Sequence, residues 1–412
     1  MLDVRGTAII PDFAILSLPN AEDNVTQEVW KIEATIPQLS YLSHNFFRYY
    51  GKFPSVLARR LIDRYSTAGD LILDNMAGCG TSLVEAMLLN RNAVGLDVNP
   101  VAVLAGRVKT NSKRYDDFRR LWSTLNTTLR ASGQGSLFPS TRVNSDSYIP
   151  TQSDLTKWFS DQAVAELANV RAHIELQHDL EFADFLRLGF AAIIRRVSFA
   201  YDGEVRPHVN RSKRPRPVLA AFCEKIADML DRLEQQQYAL GNTSPSCASL
   251  LTDAREPLGG NIEAVDLVIS HPPYLNCFNY IPVYRLEMLW LGLEAKAYAK
   301  DEVVSWPARG SIVDDYYNGN QLIINSALSL LRPGGRYTIV IGDCTIHGVL
   351  ERTHKKFIEM GRLAGLSLES IIFRDTHYAT GRYSYRHRAE YNYEAGEQIE
   401  KRDVILVFRK PQ

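Results

Sequence analysis

The spacing of apolar and polar residues between positions 54 and 97 alternates between helix and strand patterns. Apolar residues recur every three or four positions over 54–65, as on a helix, and Pro54 suits a helix start. Short apolar runs at 70–74 and 93–97 are typical of buried strands, and 82–89 between them has helical spacing. This order of elements predicts a β–α–β unit with two parallel strands.

The middle of the chain, from about 111 to 247, is dominated by helical patterns. The best-defined stretches are 118–129, 155–176, 180–199 and 218–240. A run of helices without intervening strand patterns predicts a helical insertion rather than a continuation of the sheet.

Alternation of strands and helices resumes after residue 247. Strands are predicted at 248–253, 264–270, 336–342, 367–374 and 402–409, and helices at 283–293, 316–331 and 353–363. This alternation predicts an α/β protein with a mostly parallel sheet and helices on both faces. The last two strands are predicted to pair as a hairpin with a long loop between them.

The first 40 residues mix short apolar runs with Pro11, Pro19 and Pro37. They are predicted to form an N-terminal arm packed on the main body.

Composition narrows the class of protein. The chain has 412 residues, of which 45% are hydrophobic and 23% charged, with a formal net charge of zero. That balance fits a globular protein, and any polyanion must be bound by a local basic patch. Five scattered cysteines without zinc-site spacing predict reduced thiols. No apolar run of about 18 residues and no signal-peptide pattern occur, so a cytoplasmic protein without a membrane span is expected.

A glycine-rich turn joins the first predicted strand to its helix, with the pattern Asp74-x-x-Ala77-Gly78-x-Gly80-Thr81. Glycines let a ligand approach the backbone and reach the N–H groups of the helix start. The turn therefore predicts a site for a nucleotide-sized cofactor. The alternative is an ordinary turn in a β–α–β unit.

Acidic residues end the next two strands. Asp97 is placed to accept hydrogen bonds from both hydroxyls of a ribose, and Asp253, followed by Ala254, is placed to accept one from an adenine amino group. Leu83 stands where a dinucleotide-binding turn has its third glycine, and no phosphate-binding loop sequence occurs.

The strand at 264–270 ends in His271-Pro272-Pro273-Tyr274. Two adjacent prolines cannot continue a strand, because neither has a backbone N–H and both fix φ. Ligands of open α/β sheets bind outside the carboxyl ends of the strands, so this corner is expected to face the same crevice as Gly78 and Asp97.

In these motifs the chain resembles the S-adenosylmethionine-dependent DNA amino-methyltransferases, which methylate cytosine N4 or adenine N6. Their turn Asp-Pro-Phe-x-Gly-x-Gly-Thr corresponds to Asp74-Asn75-Met76-Ala77-Gly78-Cys79-Gly80-Thr81. Their tetrapeptide of Asp, Asn or Ser, then Pro-Pro and an aromatic, corresponds to His271-Pro272-Pro273-Tyr274, with histidine as the departure. Residues 49–55 resemble the family's segment near the methionine end of the cofactor. The resemblance covers about 44–110 and 248–412.

The resemblance implies a Rossmann-like methyltransferase fold. Its sheet would be mostly parallel and seven-stranded, with a C-terminal antiparallel hairpin and a helical insertion. The implied division is an arm at 1–40, a catalytic domain at 41–110 and 248–412, and a candidate target-recognition region at 111–247.

The resemblance also implies S-adenosylmethionine as cofactor and no metal. The implied cofactor residues are Lys52, Phe53, Asp74, Ala77, Gly78, Gly80, Thr81, Asp97, Val98, Asp253 and Ala254. In the family the side chain before the prolines and the carbonyl of the first proline accept hydrogen bonds from the target amine, and the aromatic stacks on a flipped base. These roles imply His271, Pro272, Pro273 and Tyr274 as catalytic residues.

His271 offers one acceptor nitrogen when neutral, and it also has the chemistry to take up the leaving proton. The helix pattern at 280–292 resembles that of a family group with Ser-Pro-Pro-Tyr, which favours cytosine. The alternatives are an RNA methyltransferase with the same corner and an inactive DNA-binding relative.

Double-stranded DNA is the implied partner, and a restriction endonuclease acting on the same site is a further candidate; the oligomeric state stays open. Two basic stretches, at 206–216 and 374–388, are expected to contact phosphates. The alternative for each stretch is an ordinary surface loop. The predicted nucleic-acid residues are Arg206, Arg211, Lys213, Arg214, Arg216, Arg382, Arg386 and Arg388.

Overall fold

The computed structural model describes residues 13–22, 25–32, 34, 38–111, 114–133, 148–151, 155–257, 264–375 and 402–412. The strands in these ranges are β1 (Phe13–Glu22), β2 (Val25–Ile32), β3 (Leu71–Asp74), β4 (Asn92–Asp97), β5 (Cys247–Leu251), β6 (Val265–Ser270), β7 (Leu331–Gly342), β8 (Cys344–Ile346), β9 (Val349–Glu351), β10 (Ser367–Asp375) and β11 (Arg402–Arg409).

The α-helices in these ranges alternate with the strands at both ends of the chain and follow one another in the middle. They are α1 (Ser55–Tyr65), α2 (Thr81–Leu88), α3 (Pro100–Lys109), α4 (Tyr115–Gly133), α5 (Leu155–Trp158), α6 (Asp161–Glu175), α7 (Leu180–Ile193), α8 (Val218–Leu240), α9 (Arg285–Leu291), α10 (Ala295–Ala299), α11 (Ser311–Leu330) and α12 (Thr353–Leu363).

The main sheet has the strand order β1-β2-β10-β11-β7-β6-β3-β4-β5. The five strands β5, β4, β3, β6 and β7 are parallel to one another, and β11 is antiparallel to both β7 and β10. The predicted mostly parallel α/β sheet with an antiparallel C-terminal hairpin is therefore confirmed.

The sheet is larger than the seven strands that were predicted. β1 and β2 pair with each other, and β2 lies parallel to β10, so residues of the predicted arm continue the sheet beyond the C-terminal hairpin. The prolines in the first 40 residues interrupt the apolar pattern, so the sequence did not predict this hairpin. It covers the edge that β10 would otherwise present.

Alternate residues of the strands point to two apolar layers, as the period of two in a strand requires. One layer packs Ile72 and Ile269 against α1 and α2. The other packs Leu73 and Val268 against α11 and α12. Helices therefore cover both faces of the sheet, and this two-sided packing holds the strand ends in a fixed relation.

A third apolar cluster joins the helices of the insertion to the rest of the molecule. It contains Phe118 of α4, Phe185 of α7 and Phe222 of α8, together with Val101 of α3 and Trp290 of α9. The insertion thus shares one core with the helix that follows β4 and with the helix that follows the His271 corner.

Two predicted helix boundaries in the insertion were wrong. The stretch 155–176 is divided into α5 and α6, because the Ser160 side chain accepts a hydrogen bond from the N–H of Ala163 at 3.2 Å and starts a new helix. The stretch 180–199 stays helical only to Ile193. No helix among the described residues is long and apolar enough to cross a membrane.

Candidate active site at the carboxyl ends of the strands

A cleft lies along the carboxyl ends of β3, β4, β5 and β6. Its empty volume is about 820 Å³, with open solvent at its mouth included. Asp74, Asp97, Asp253 and His271, which follow or end these strands, all line it. The parallel strands therefore bring to one place four polar residues that lie up to 197 positions apart in the chain (271 − 74).

The glycine turn between β3 and α2 is held close to its neighbours. Gly78 and Gly80 have φ values of +50° and +75°, which favour glycine. A Cβ at Gly80 would lie 2.7 Å from the Cα of Gly106 on α3, so a larger residue would displace the turn. The N–H of Gly78 donates to Asp97 Oδ2 at 2.8 Å, which fastens the turn to the end of β4.

Two carboxyl groups at this turn have raised pKa values; that of Asp74 is buried and that of Asp97 is half-buried. Burial raises the pKa of Asp74 to about 7, although Ser82 and the N–H of Met76 hydrogen-bond to its carboxyl group. Burial raises the pKa of Asp97 to about 6, against hydrogen bonds from backbone N–H groups that include those of Asn99 and Gly78. A ligand with positive charge would stabilise both carboxylates, so the cleft favours a cation.

The imidazole of His271 is held between two aromatic rings. It stacks on Phe53, with ring centroids 4.9 Å apart and planes at 24°, and its edge meets the Tyr274 ring at 84°. His271 Nε2 lies 3.3 Å from the Tyr274 hydroxyl, a hydrogen bond whose direction depends on the tautomer. These contacts fix the ring where His271 lines the cleft.

The two prolines form a braced corner behind His271. The carbonyl of Pro273 accepts a hydrogen bond from the Tyr316 hydroxyl of α11 at 2.8 Å. The Tyr274 ring packs on Gly342 at the end of β7, within 3.3 Å of where a Cβ would stand. Of the four predicted catalytic residues, His271 and Pro273 line the cleft. Pro272 is buried, and Tyr274 packs against the ring of His271.

Comparison with known proteins relates this site to DNA modification. Residues 3–106 match a family model described as DNA methylase. The chain is 25% identical over 274 residues to the type II methyltransferase M.BsoBI of Geobacillus stearothermophilus, which covers 61% of this chain and 53% of that protein. It is 22% identical over 268 residues to the type II methyltransferase M.MvaI of Kocuria varians, which covers 61% and 58%. The N-terminal quarter of the chain thus resembles a DNA methylase, and a longer stretch is similar to type II methyltransferases.

The chain spans little more than half the length of these two curated relatives. Among solved structures, it aligns with TrmN from Thermus thermophilus at 12% identity and a TM-score of 0.31, over 88% of this chain and 50% of that one.

S-adenosylmethionine is the cofactor that the matched DNA methylase family implies, and the described residues of the cleft fit it. Three residues that line the cleft have a buried polar atom without a hydrogen-bond partner among the described residues: Asn75 Oδ1, Thr81 Oγ1 and Asn99 Nδ2. Buried polar atoms in folded proteins are normally hydrogen-bonded, so these three mark positions where a polar ligand completes the bonding.

Most of the predicted cofactor residues line the cleft. These are Lys52, Phe53, Asp74, Ala77, Gly78, Thr81, Asp97, Val98, Asp253 and Ala254. Gly80 lies behind them and precedes α2. Burial lowers the pKa of Lys52 to about 8, and its ammonium donates to the carbonyl of His44 at 3.3 Å. Arg255 binds both carboxylate oxygens of Asp253, at 2.6–3.0 Å, so that acceptor is partly used within the protein.

Three tyrosines that were not among the predicted site residues form a stack beside the cofactor turn. Tyr49 lies between Tyr280 and Tyr284, with centroid distances of 5.7 and 4.9 Å and planes at 15° and 12°. Tyr49 also approaches Gly78, within 3.2 Å of where a Cβ would stand. Burial raises the pKa of all three hydroxyls well above the usual range, so the stack is a neutral wall.

Glu302 is a second group that sequence patterns gave no reason to select. Its carboxyl group lines the cleft and accepts hydrogen bonds from the N–H groups of Tyr280 and Ile281. Burial raises the pKa of Glu302 to about 7, against those bonds. The carboxyl group thereby ties the segment that contains Glu302 to the segment that follows the catalytic corner.

The cofactor turn is also tied to the insertion by fully buried polar side chains. Lys109, at the end of α3, donates from its ammonium to the carbonyl of Cys79 at 2.9 Å. Gln236 of α8 donates to the carbonyl of Lys109 at 2.7 Å and accepts from the N–H of Ser43 at 3.2 Å. Both side chains have 0% exposure, so α8 and the turn are connected without intervening solvent.

The predicted DNA-contacting residues at 206–216 have different surroundings. Arg211 and Arg214 are exposed, and Arg216 pairs with Glu224 at 2.8 Å. The ammonium of Lys213 instead donates to the carbonyls of Arg195 and Ala200 at 2.6 and 2.7 Å and pairs with Asp202. Lys213 thus holds the loop to the segment that follows α7. Arg382, Arg386 and Arg388 lie outside the described residues.

Proposed function

We propose that this chain transfers a methyl group from S-adenosylmethionine to the exocyclic amine of a base in double-stranded DNA, with cytosine N4 favoured over adenine N6. The main support for this proposal is that one cleft is lined both by His271 and Pro273 and by Asp74, Gly78 and Asp97. A cofactor turn and a rigid proline corner that share one cleft match the two halves of such a reaction.

In this proposal the cleft binds the cofactor through the turn and the strand-end acids. Asp97 accepts hydrogen bonds from the ribose hydroxyls. Asp74 and the unsatisfied atoms of Asn75 and Thr81 form hydrogen bonds with the other polar groups of the cofactor. When bound, S-adenosylmethionine supplies an electrophilic methyl group from its sulfonium. The raised pKa values of Asp74 and Asp97 support this assignment, because a sulfonium compensates the two carboxylates.

The amine of a base is a weak nucleophile because its lone pair is delocalised into the ring. Acceptors aimed at its two hydrogens favour a pyramidal nitrogen with a localised lone pair. We assign one acceptor to His271 and the other to the carbonyl of Pro272. The bond between the methyl carbon and sulfur would break as the C–N bond forms, and the proton that the amine releases would pass to the acceptor nitrogen of His271.

The hydroxyl of Tyr274 has a defined place in this scheme. When it accepts a hydrogen bond from His271 Nε2–H, the neutral ring carries its acceptor lone pair on Nδ1. With this direction of the hydrogen bond, Tyr274 stabilises the Nε2–H tautomer of His271, and its packing on Gly342 keeps the hydroxyl in place. Histidine can then act where relatives have aspartate, asparagine or serine.

Access to an amine inside a duplex requires the base to be flipped out of the helix. Arg211 and Arg214 are exposed and supply phosphate contacts, and the helices between residues 111 and 247 are the candidate target-recognition region. Both curated relatives are named type II methyltransferases, which supports a specific target site that a restriction endonuclease also recognises. The preference for cytosine rests on the resemblance of residues 280–292.

The proposal is tested by incubating the protein with tritiated S-adenosylmethionine and unmethylated duplex DNA, then separating the nucleosides. N4-methylcytosine is the expected product, and N6-methyladenine would correct the base while keeping the reaction. A parallel incubation with RNA serves as the comparison. Label in RNA and none in DNA would overturn the proposal, and so would DNA binding without transfer to either nucleic acid.

A further inference from the structure

Trp306 differs from the other tryptophans of this chain in its exposure. All five tryptophans lie in the described residues; Trp30, Trp122, Trp158 and Trp290 are buried, whereas Trp306 is 37% exposed. Large aromatic side chains stabilise a fold by burial, so an exposed indole next to a functional cleft has a different use to be accounted for.

The backbone of Trp306 is fixed although its side chain is exposed. Asn279 Oδ1 accepts hydrogen bonds from the N–H groups of Ser305 and Trp306, both at 3.2 Å, and Asn279 Nδ2 donates to the Trp306 carbonyl at 3.1 Å. The carbonyl of Ser305 also accepts from the N–H of Asn276 at 2.7 Å. The segment is thus braced on the residues that directly follow the His271–Tyr274 corner.

Trp306 lies close to the cleft along the chain. Glu302 and Val303, a few residues before it, line the cleft, and so does Tyr280, the neighbour of Asn279. The guanidinium of Arg206 lies 4.1 Å from the centre of the indole ring. The charge of Arg206 also lowers the pKa of Glu302 slightly, against the larger effect of burial.

We propose that Trp306, with Arg206 beside it, is a stacking surface for a nucleotide base of the DNA at the mouth of the cleft. The base stacks on the exposed indole, and Arg206 neutralises a neighbouring phosphate. This inference rests on the proposed function for its ligand. The supporting observations are an exposed aromatic on a fixed backbone, a cation within stacking distance, and a nearby cleft that is lined by Glu302 and Val303 as well as by His271.

Stacking of a base on an aromatic side chain sets the expected size of the effect. Replacing such a side chain by alanine removes about 1–3 kcal/mol per base, which is roughly a 5- to 150-fold loss of affinity. Phenylalanine keeps a ring and is expected to keep most of that affinity. A role confined to packing against Arg206 would change stability and leave DNA affinity unaltered.

The test compares Trp306→Ala, Trp306→Phe and a control, Leu363→Ala, which changes an exposed apolar residue on α12. DNA affinity is measured by fluorescence anisotropy with a labelled duplex, and cofactor affinity by calorimetry. Trp306→Ala is expected to weaken DNA binding at least 5-fold. Trp306→Phe and Leu363→Ala are expected to bind within about 3-fold of the unaltered protein, and all variants are expected to bind cofactor normally.

A second measurement needs no variant for its main result. Since Trp306 is the exposed tryptophan, stacking of a base on it is expected to quench part of the intrinsic fluorescence when duplex DNA binds. Trp306→Phe should abolish that quenching while DNA still binds. The inference is overturned if DNA binds without quenching, or if Trp306→Ala binds and methylates DNA like the unaltered protein. Failure of the proposed function has a separate sign, the absence of methyl transfer to DNA by the unaltered protein.

Discussion

The imidazole of His271 lies against the ring of Phe53, with centroids 4.9 Å apart and planes 24° from parallel. The residue that departs from the family pattern is therefore held on one side by a residue of the segment before α1 and on its edge by Tyr274. A residue that merely ended the strand would not require a stacking contact from a segment 218 positions away in the chain (271 − 53). This relationship favours a working histidine over a degenerate site.

Replacing His271 by alanine is expected to lower the single-turnover rate of methyl transfer by about 100-fold or more, because an acceptor for the amine is lost. His271→Asn should recover part of the rate, since the amide oxygen restores an acceptor of the kind that relatives use. The measurement is label transfer to DNA at saturating cofactor, with the cofactor Kd determined separately.

Tyr274→Phe is the companion variant, because it removes the hydroxyl and keeps the ring. A loss of about 10-fold in rate, with unchanged Kd for cofactor, is expected when the tautomer of His271 is no longer selected. In His271→Asn the same Tyr274→Phe change should have little further effect. Equal rates for His271→Ala and the unaltered protein would rule out a catalytic role for the histidine.

Asp74→Asn is expected to stabilise the cofactor-free protein at pH 8. The pKa of Asp74 is about 7 in the fold and about 3.9 when unfolded, so the folded state binds more protons between these values. Stability from this group is therefore full below about pH 4 and is lost as the pH rises to 7. The gain in Tm from Asp74→Asn should be largest at pH 8 and shrink towards pH 5.

Thermal unfolding of the two proteins across this pH range tests that prediction. Asp63→Asn, which changes an exposed acid on α1, serves as the control and should leave Tm nearly constant relative to the unaltered protein. A gain for Asp74→Asn that grows at low pH would show that the sign is wrong.

Affinity for S-adenosylmethionine is expected to fall as the pH is lowered from 8 to 5.5. Protonation of Asp74 and Asp97, whose pKa values are about 7 and 6, removes the negative charges that favour the sulfonium. A rise in Kd on the order of tenfold is expected from calorimetry. S-adenosylhomocysteine, which lacks the positive sulfur, is the matched ligand and should show a clearly smaller dependence. Equal dependences for both ligands would contradict an interaction with the sulfonium.

Two neighbouring basic residues are expected to respond in different ways. Arg214→Ala should weaken DNA binding and reduce the slope of log K against log salt by about 1, because one phosphate contact is lost. Lys213→Ala should instead lower Tm, since its ammonium is used by the carbonyls of Arg195 and Ala200 and by Asp202. A salt slope unchanged by Arg214→Ala would remove this loop from the DNA interface.

Local sequence patterns were sufficient to predict several individual helices and the motifs of the candidate site. The helix at 218–240 was predicted with the bounds that α8 has, because a clean amphipathic run lies between Pro217 and Gly241. The motif residues of the turn and corner lie together because parallel strands end at one edge of the sheet, which is a property of the topology. The helix start at Ser160 was missed, because the surrounding stretch has continuous helical spacing, although serine is a common N-cap residue.

Other features depend on contacts between distant parts of the chain. Tyr49 and Tyr284 stack although 235 positions separate them (284 − 49), and nothing in either local sequence indicates that contact. Lys213 has the same sequence surroundings as Arg214, and only the fold shows that its ammonium is turned towards the segment that follows α7. The pairing of β2 with β10 likewise joins the two ends of the chain.

The buried path through Lys109 and Gln236 has a consequence for protein engineering. A chimaera that replaces the helices between residues 111 and 247 would remove Gln236, and with it the hydrogen bonds to Lys109 and Ser43. The backbone that presents Lys109 to the Cys79 carbonyl would lose its support from α8. Exchange of target specificity between relatives would therefore disturb the cofactor turn unless a residue with both a donor and an acceptor is retained at position 236.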